Sequence, residues 1–413
     1  MKTGTTPSKK LQVVYLGELG FPVGLAPIQK CRLLSRALIE NGARVTVLGR
    51  MGTHDRASVP GLRARGEFEG IEYHVSSGTP YRPKSVGARL ALIAAGLINE
   101  IRHLVRLRRA GRFDVGLLSV IDFPLAVFYG LIAKTLRAPL VLLLVEHGAA
   151  LDNRTSLGQK MGDRLFDKTI RFFVDGFLPI SEYLVEFVKR CAPGKPYLKI
   201  PVLADFDLFA AVHRRPGPPT FLFCSSAAYP DVVAFVLAAF EALAVDEAEL
   251  VLVVSGRPGP MGRIRAAVNR SPRSRQIRLL SNLSETELIR RYVDASGLLI
   301  PLRPTRQDQA RFPHKIGEYT ASGNPIITTA VGEIPLYFED GQSAFIARDY
   351  DPGLFAEKMR LVMERPDEAR RVGEAGRRVG IANFDYRKYG PPLLSFLNDV
   401  VRSRKNNRRP ERI

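Results

Sequence analysis

The stretch from Ser296 to Glu333 restricts the fold more than any other part of the chain. An apolar strand, Gly297 to Leu302, runs into a polar, arginine-rich loop. A helix then opens near Phe312-Pro313, carries Lys315 and Glu318, and stops at Ser322-Gly323. A second strand, Pro325 to Thr329, ends in a glycine-containing turn. Strands joined through a helix build parallel sheets. The polar residues gather at the strand's carboxyl end and in the first turns of the helix, where open α/β sheets hold ligands. A helix start offers free N–H groups and a positive dipole end, which suit a diphosphate. A carboxylate one to two turns further in suits a ribose diol. The segment reads as a nucleotide-diphosphate site with a sugar beside it.

The same alternation fills the rest of the chain. The strand LQVVYLGEL, the loop GFPVGLAP, the helix IQKCRLLSRALIENG stopped by Gly42, and the strand RVTVLGR form a βαβ unit with an expected right-handed crossover. Further strands are expected at Ile71–Val75 and in FDVGLLSV, APLVLLLVEH and GFLPISEY. A long basic helix is expected from Val86 to Arg109, and a shorter one around Pro124–Lys134. His213 to Pro219, HRRPGPP, reads as a linker that resets the pattern. TFLFCSSA, ELVLVVSGRPG, IRLLSNL, SGLLIPL and NPIITTA then continue it, and helices from Pro352 to Arg365 and Pro366 to Ala382 follow. The expected architecture is α/β. Residues 1–205 and 206–385 form two doubly wound, Rossmann-like domains, and 386–413 a closing helix and basic tail.

With 413 residues there is material for two cores of ordinary size. A formal net charge of +20 favours anionic partners such as nucleotides or anionic lipid head groups, although an arginine-rich, solvated surface explains it equally well. The three cysteines, Cys31, Cys191 and Cys224, form no CxxC and sit in or beside apolar stretches, so burial in a reducing compartment is expected. The polar start MKTGTTPSKK leads straight into a strand and gives no expectation of a signal peptide. The apolar region from Val115 to Val145 is interrupted by Asp122, Pro124, Lys134, Arg137 and Pro139 and is therefore not a membrane span. A cytoplasmic protein is expected, or one lying peripherally on the inner face of the plasma membrane. No helix-turn-helix, RRM, KH or zinc pattern is present and aromatic residues are not interleaved with the basic clusters, so no nucleic-acid partner is expected.

The order SGRPG, LSETELIRRYVDASGLLIPL, FPHKIGEYTASGNPIITT and GEIPLYFEDGQSAFIA resembles the GT-B glycosyltransferases, specifically glycosyltransferase family 4. The resemblance implies a GT-B fold, with two Rossmann-like domains facing a central cleft. It also implies a nucleotide-diphosphate-sugar as donor substrate, no further cofactor and no metal. Glu318 matches the second acidic residue of the family's Glu–seven residues–Glu motif, which binds the donor ribose. Where the first glutamate is expected, this chain has Ala310, with Gln309 and Asp308 as neighbouring acceptors for the sugar. Family members often carry an arginine and a lysine after the first strand of the C-terminal domain, where this chain has Ser225, Ser226 and Tyr229. Lys315, Arg257 and Arg306, in that order, are the candidates for the diphosphate, with Arg311 and the helix start at Phe312 beside them. Gly256 follows a buried strand and allows close backbone approach, although a plain turn is the simpler reading. Gly332-Glu333 is a second such turn, and Leu283 and Ser284 lie where the family cradles its base.

In the N-terminal half the resemblance assigns the acceptor. Gly20 and Gly24 occupy the first strand–helix loop, where family glycines meet the donor phosphate and the transferred sugar. His147 ends a strand at the sheet's carboxyl edge, where the family often has a histidine touching that sugar; a structural histidine is the other reading. Glu146 and Asp152 are nearby alternatives, and Ser181-Glu182 matches an acceptor-facing turn in which Ser181 also reads as an N-cap. The Val86–Arg109 helix carries Arg89, Arg102, His103, Arg106, Arg108 and Arg109 beside apolar residues. It fits either an anionic membrane or a core helix with a solvated basic face.

The reaction expected is retaining, metal-independent transfer of a sugar to a hydroxyl of a glycan or lipid-linked glycan, as in polysaccharide biosynthesis. Catalytic roles fall to His147, Lys315 and Glu318. The alternative is a catalytically degenerate GT-B homologue that binds a nucleotide-sugar or a partner, and Ala310 is the residue that favours it.

Overall fold

The computed structural model describes residues 10–24, 26–152 and 154–406, so most of the basic tail lies outside the described residues. The chain divides into two compact units. One runs to Pro201 and resumes at Tyr386; the other spans Val202–Asp385.

The first unit is built on strands β1 (Gln12–Leu16), β2 (Arg44–Gly49), β3 (Arg65–Phe68), β4 (Ile71–Val75), β5 (Val115–Leu118), β6 (Leu140–Leu144) and β7 (Gly176–Pro179). They lie in the order β3-β4-β2-β1-β5-β6-β7, parallel except for β3 against β4. Central strands such as β1 and β6 are buried along their whole length, as parallel strands covered on both faces must be. The strand order reverses at β1, which pairs with β2 on one side and β5 on the other. The loops after β1 and β5 therefore flank the crevice where such sheets hold ligands.

The antiparallel strand β3 was not expected. It pairs with β4 through the two-residue turn Glu69-Gly70, both residues at positive φ. Arg32 holds Glu69 with two hydrogen bonds of 2.5 and 2.7 Å. The Val86–Arg109 helix has the expected bounds, and its apolar residues divide between the core and the surface. It buries Gly96, Glu100, Leu104 and Leu107, while Val86, Leu90, Ile98 and Ile101 are exposed. Its basic residues do not form one free face either. His103 stacks on His74 at 3.9 Å, and Arg108 donates to the carbonyls of Phe113, Leu136 and Arg137.

The helix Gly390–Asn406 completes this unit. Gly390 lies so close to the helix Ala26–Glu40 that an added Cβ would come within 2.6 Å of the Ala37 carbonyl. Tyr386 just before it donates to Glu40 and accepts from Arg36.

The second unit holds β8 (Thr220–Ser226), β9 (Glu249–Ser255), β10 (Ile277–Leu280), β11 (Gly297–Ile300), β12 (Ile326–Thr329) and β13 (Phe345–Ala347). Their order is β10-β9-β8-β11-β12-β13, all parallel, with the reversal between β8 and β11. Phe221, Phe223, Phe240, Leu252 and Phe355 lie at the centre of its core, where the helices Pro230–Leu243 and Pro352–Glu364 pack together. The segment His213–Pro219, expected to be a linker, belongs to this unit. Arg214 donates to Ser296, and Arg215 pairs with Asp294 at 2.5 Å.

Candidate active site

The loops after β8 and β11 leave neighbouring strands on either side of the reversal in the second unit. The loop after β11 contains a short helix, Arg306–Ala310, that the sequence reading passed over; Thr305 caps it by accepting from Asp308 N at 3.3 Å. This turn drives Asp308 inside. Its carboxylate is fully buried and accepts from Arg303 N (2.8 Å) and Arg303 Nε (3.0 Å), and it pairs with Arg311 Nη2 at 2.7 Å. Asp308 is thus committed to two guanidinium groups and is not a sugar acceptor. Ala310 is buried, and Gln309 is the exposed member of the set.

Arg311 also lies 4.8 Å from the ring centroid of Tyr229 in the loop after β8, and the Tyr229 hydroxyl accepts from Gln307 at 3.4 Å. A cation over an aromatic face attracts by the ring quadrupole. Positive charge therefore reaches the β8 loop from the loop after β11, although Ser225 and Ser226 stand where basic residues were expected. Arg303 was not anticipated from the sequence, although its position carries a signal. It stands just past the end of β11, where side chains of an open sheet turn toward the ligand crevice.

The helix begins at Lys315 and ends at Ser322, with Gly323 left-handed at its C-cap. The expected opening at Phe312-Pro313 is a separate turn, in which Ile316 and Gly317 N–H donate to Pro313 and His314 carbonyls. Phe312 is a core residue rather than part of a donor surface. It is buried and stacks on Tyr337 at 5.5 Å with Phe384 edge-on at 5.6 Å.

Lys315 and Glu318 occupy the same helix one turn apart and are both half-buried. The Glu318 Oε2 accepts from the Tyr292 hydroxyl at 3.0 Å. Burial raises the Glu318 carboxyl above its ordinary range, while the Lys315 ammonium and the Tyr292 hydrogen bond oppose the rise. Burial also pushes the neighbouring Cys224 thiol up to about 11, again opposed by Lys315. The arrangement is an ammonium and a carboxylate presented together at one helix start, suited to a diphosphate and a diol respectively.

The remaining candidates separate from this centre. Gly256 is required by packing, since a Cβ there would lie 2.5 Å from that of Ala227. Arg257 is exposed at the N-cap of the helix Pro258–Arg270, and Arg306 is exposed on the short helix. Ser284 is occupied in a capping box with Glu287, and Gly332 is left-handed with a Cβ position 3.0 Å from the Asp308 carbonyl. Among the described residues no group of three or more His, Cys, Asp or Glu side chains is placed to hold a metal ion.

In the first unit, Gly20 sits in the β1 loop at φ +110°, a conformation that favours glycine, and its carbonyl lies 2.6 Å from His54 Nε2. At Gly24 a Cβ would crowd Ile28 at 2.4 Å. Glu18 in the same loop, not anticipated, accepts from Ser119 Oγ at 2.5 Å across the reversal point, and burial raises its carboxyl. His147 follows β6. Its Nε2 lies 3.1 Å from Asp167 on the helix Leu157–Thr169, its ring packs 4.4 Å from Phe187, and its Nδ1 is buried without a partner. No spacing rule links His147 to Asp167; only the fold brings them together. Ser181 is buried and caps the helix Glu182–Cys191 by accepting from Leu184 N, and Glu182 pairs with Lys199.

Two such units, each with the reversal at its first strand, define a protein of GT-B fold. Solved structures agree. Sucrose-phosphate synthase from Thermosynechococcus elongatus superposes with a TM-score of 0.75 at 15% identity, covering 95% of this chain and all (100%) of that one. HepE of Anabaena, solved with UDP and glucose, gives a TM-score of 0.69 at 13% identity over 94% of this chain and 100% of its own. Residues 218–365, within the second unit, match the family model Glycosyl transferases group 1. Spore coat protein SA of Bacillus subtilis is 32% identical over 79 residues, 19% of this chain and 21% of that protein. The chain thus spans about a fifth of the length of this curated relative.

Proposed function

We propose that this protein transfers a sugar from a nucleoside-diphosphate donor to a hydroxyl acceptor, with retention and without a metal ion. The observation that carries the reading is the placing of Lys315 and Glu318 on one helix at the reversal-side edge of the second unit, with Glu318 held by Tyr292. In the proposed reaction Glu318 accepts from the donor ribose, and Lys315 meets the charge that develops on the leaving diphosphate. A preorganised cation at that point needs no reorganisation in the transition state. Arg311 and Arg303 add positive charge at the neighbouring loop. HepE, solved with UDP and glucose, supports a uridine donor as the first to try. The acceptor is a glycan or lipid-linked glycan, received by the first unit.

A mass-spectrometric screen of nucleotide-sugars for binding and slow hydrolysis tests the reading. Turnover at sub-saturating donor that is strongly lowered in both Glu318→Ala and Lys315→Ala supports it. A second reading, a nucleotide-sugar-binding homologue without turnover, is favoured by one observation: Ala310 is buried, and Asp308 beside it is fully paired. Binding without hydrolysis or transfer across a broad acceptor panel decides for it.

The cytoplasmic, membrane-peripheral setting is part of the proposal. Among the described residues no helix is long and apolar enough to cross a membrane. Val86, Leu90, Ile98 and Ile101 are nevertheless exposed on the helix that also carries Arg102, Arg106 and Arg109. Apolar residues among cations suit the interface of an anionic bilayer. Flotation with phosphatidylglycerol vesicles, lost in Leu90→Glu/Ile98→Glu, is the expected result; equal recovery of both proteins would remove the membrane from the proposal.

A further inference from the structure

Glu318 does not stand alone on its helix. Tyr292, on the helix Glu285–Asp294, is buried, and its ring meets Tyr319 edge-on at 5.2 Å and stacks near Phe209 at 6.5 Å. Its main chain is pinned as well. Asn324 Nδ2 donates to the Tyr292 carbonyl at 2.7 Å and to the Val293 carbonyl at 2.9 Å. A ring so enclosed has little rotational freedom, so its hydroxyl is a fixed donor to Glu318 Oε2 at 3.0 Å. Oε1 is left without a protein donor among the described residues.

We infer that Tyr292 is a positioning residue of the donor site: it engages Oε2 of Glu318 so that Oε1 is the oxygen offered to the ribose diol. The inference rests on the proposed donor reading and specifies how one of its residues is held. Two consequences follow from hydrogen-bond chemistry. The carboxylate plane is set before the donor arrives, which removes an ordering cost from binding. The hydrogen bond also favours the ionised carboxylate, the form that accepts from hydroxyls. The groups that face Glu318 are Lys315 on its own helix, Tyr292 and Glu285 on the neighbouring one, and, near Tyr292, Cys224 and Tyr319. Lys315 and Tyr292 favour ionisation, whereas burial and Glu285 oppose it.

The test uses the full chain and calorimetric binding of UDP, GDP, ADP and dTDP between pH 5 and 8, in wild type, Tyr292→Phe, Glu318→Gln and the double variant. Removing the phenol hydroxyl raises the Glu318 carboxyl further, so the acid limb of binding moves to higher pH. Tyr292→Phe is expected to weaken the preferred nucleotide by about 10-fold near pH 6, in line with one charge-assisted hydrogen bond, and by less at pH 8. On the Glu318→Gln background the same change is expected to add little. A loss of equal size at every pH, or full additivity with Glu318→Gln, would overturn the positioning role while leaving the donor reading intact. A wild-type chain that binds none of the four nucleotides would overturn both.

Discussion

Asp308 and Arg311, three residues apart, form a 2.7 Å ion pair in which the carboxylate is fully buried, and Arg303 closes it from the other side. The pair fixes the loop after β11 and sets Arg311 over Tyr229. Removing the carboxylate leaves two guanidinium groups facing each other without their shared partner. Asp308→Ala is therefore expected to cost about 3–5 kcal/mol of stability, the range for breaking a buried pair from one side. Urea unfolding measures it; a change below about 1 kcal/mol would show that water satisfies the arginines equally well.

Lys315 and Glu318 share a helix but are given different tasks. If Lys315 acts on charge that develops as the diphosphate departs, Lys315→Ala lowers kcat by about 10²–10³-fold, as removal of one preorganised charge does elsewhere. Glu318→Ala acts on ribose binding and appears mainly in KM for the donor. Steady-state kinetics on the donor found in the screen separates the two. A Lys315→Ala effect confined to KM would place the lysine in ground-state binding only.

Much of the fold was legible because parallel strands are short apolar runs between helices of helical periodicity. β1, β8, β11 and β12 are such runs, and Gly42 and Gly323 ended their helices as expected, both at positive φ. The hairpin of β3 and β4 was not, because its turn is Glu69-Gly70 rather than Asn-Gly. The left-handed Glu69 is held from a distance by Arg32, which local pattern does not encode. The candidate site was legible only in part. The shared helix of Lys315 and Glu318 could be read from the sequence. Asp308 looked like a free acceptor, and Phe312 like part of a helix start. Their burial arises from the short helix Arg306–Ala310 and from contacts with Tyr337 and Phe384, which are tertiary. Tyr292 was invisible for the same reason, since nothing in sequence spacing links it to Glu318.

Lys30 supplies a pH-dependent test of the first unit. It is buried, and its ammonium donates to the carbonyls of Ile200 and Pro201 at 3.2 and 3.0 Å, where the chain leaves the unit. Burial brings it down to about 7 from its usual 10.5. The folded state then binds fewer protons than the unfolded state between about pH 7 and 10, so the contribution of Lys30 to stability rises across that window, by up to about 5 kcal/mol. Below pH 7 both states are protonated and the contribution is flat. Urea unfolding at pH 6.5, 8 and 9.5 is expected to show this rise in wild type and its absence in Lys30→Met. Parallel curves for the two proteins would mean that Lys30 keeps an ordinary pKa.

In the proposed function the Lys315–Glu318 helix binds a nucleoside diphosphate. Calorimetric titration of the intact chain with UDP, beside Lys315→Ala and Glu318→Ala, tests it most directly. Saturable 1:1 binding by wild type is expected, with each variant weaker by about 10-fold or more, as for loss of one charged contact. Binding of unchanged strength in both variants would contradict it.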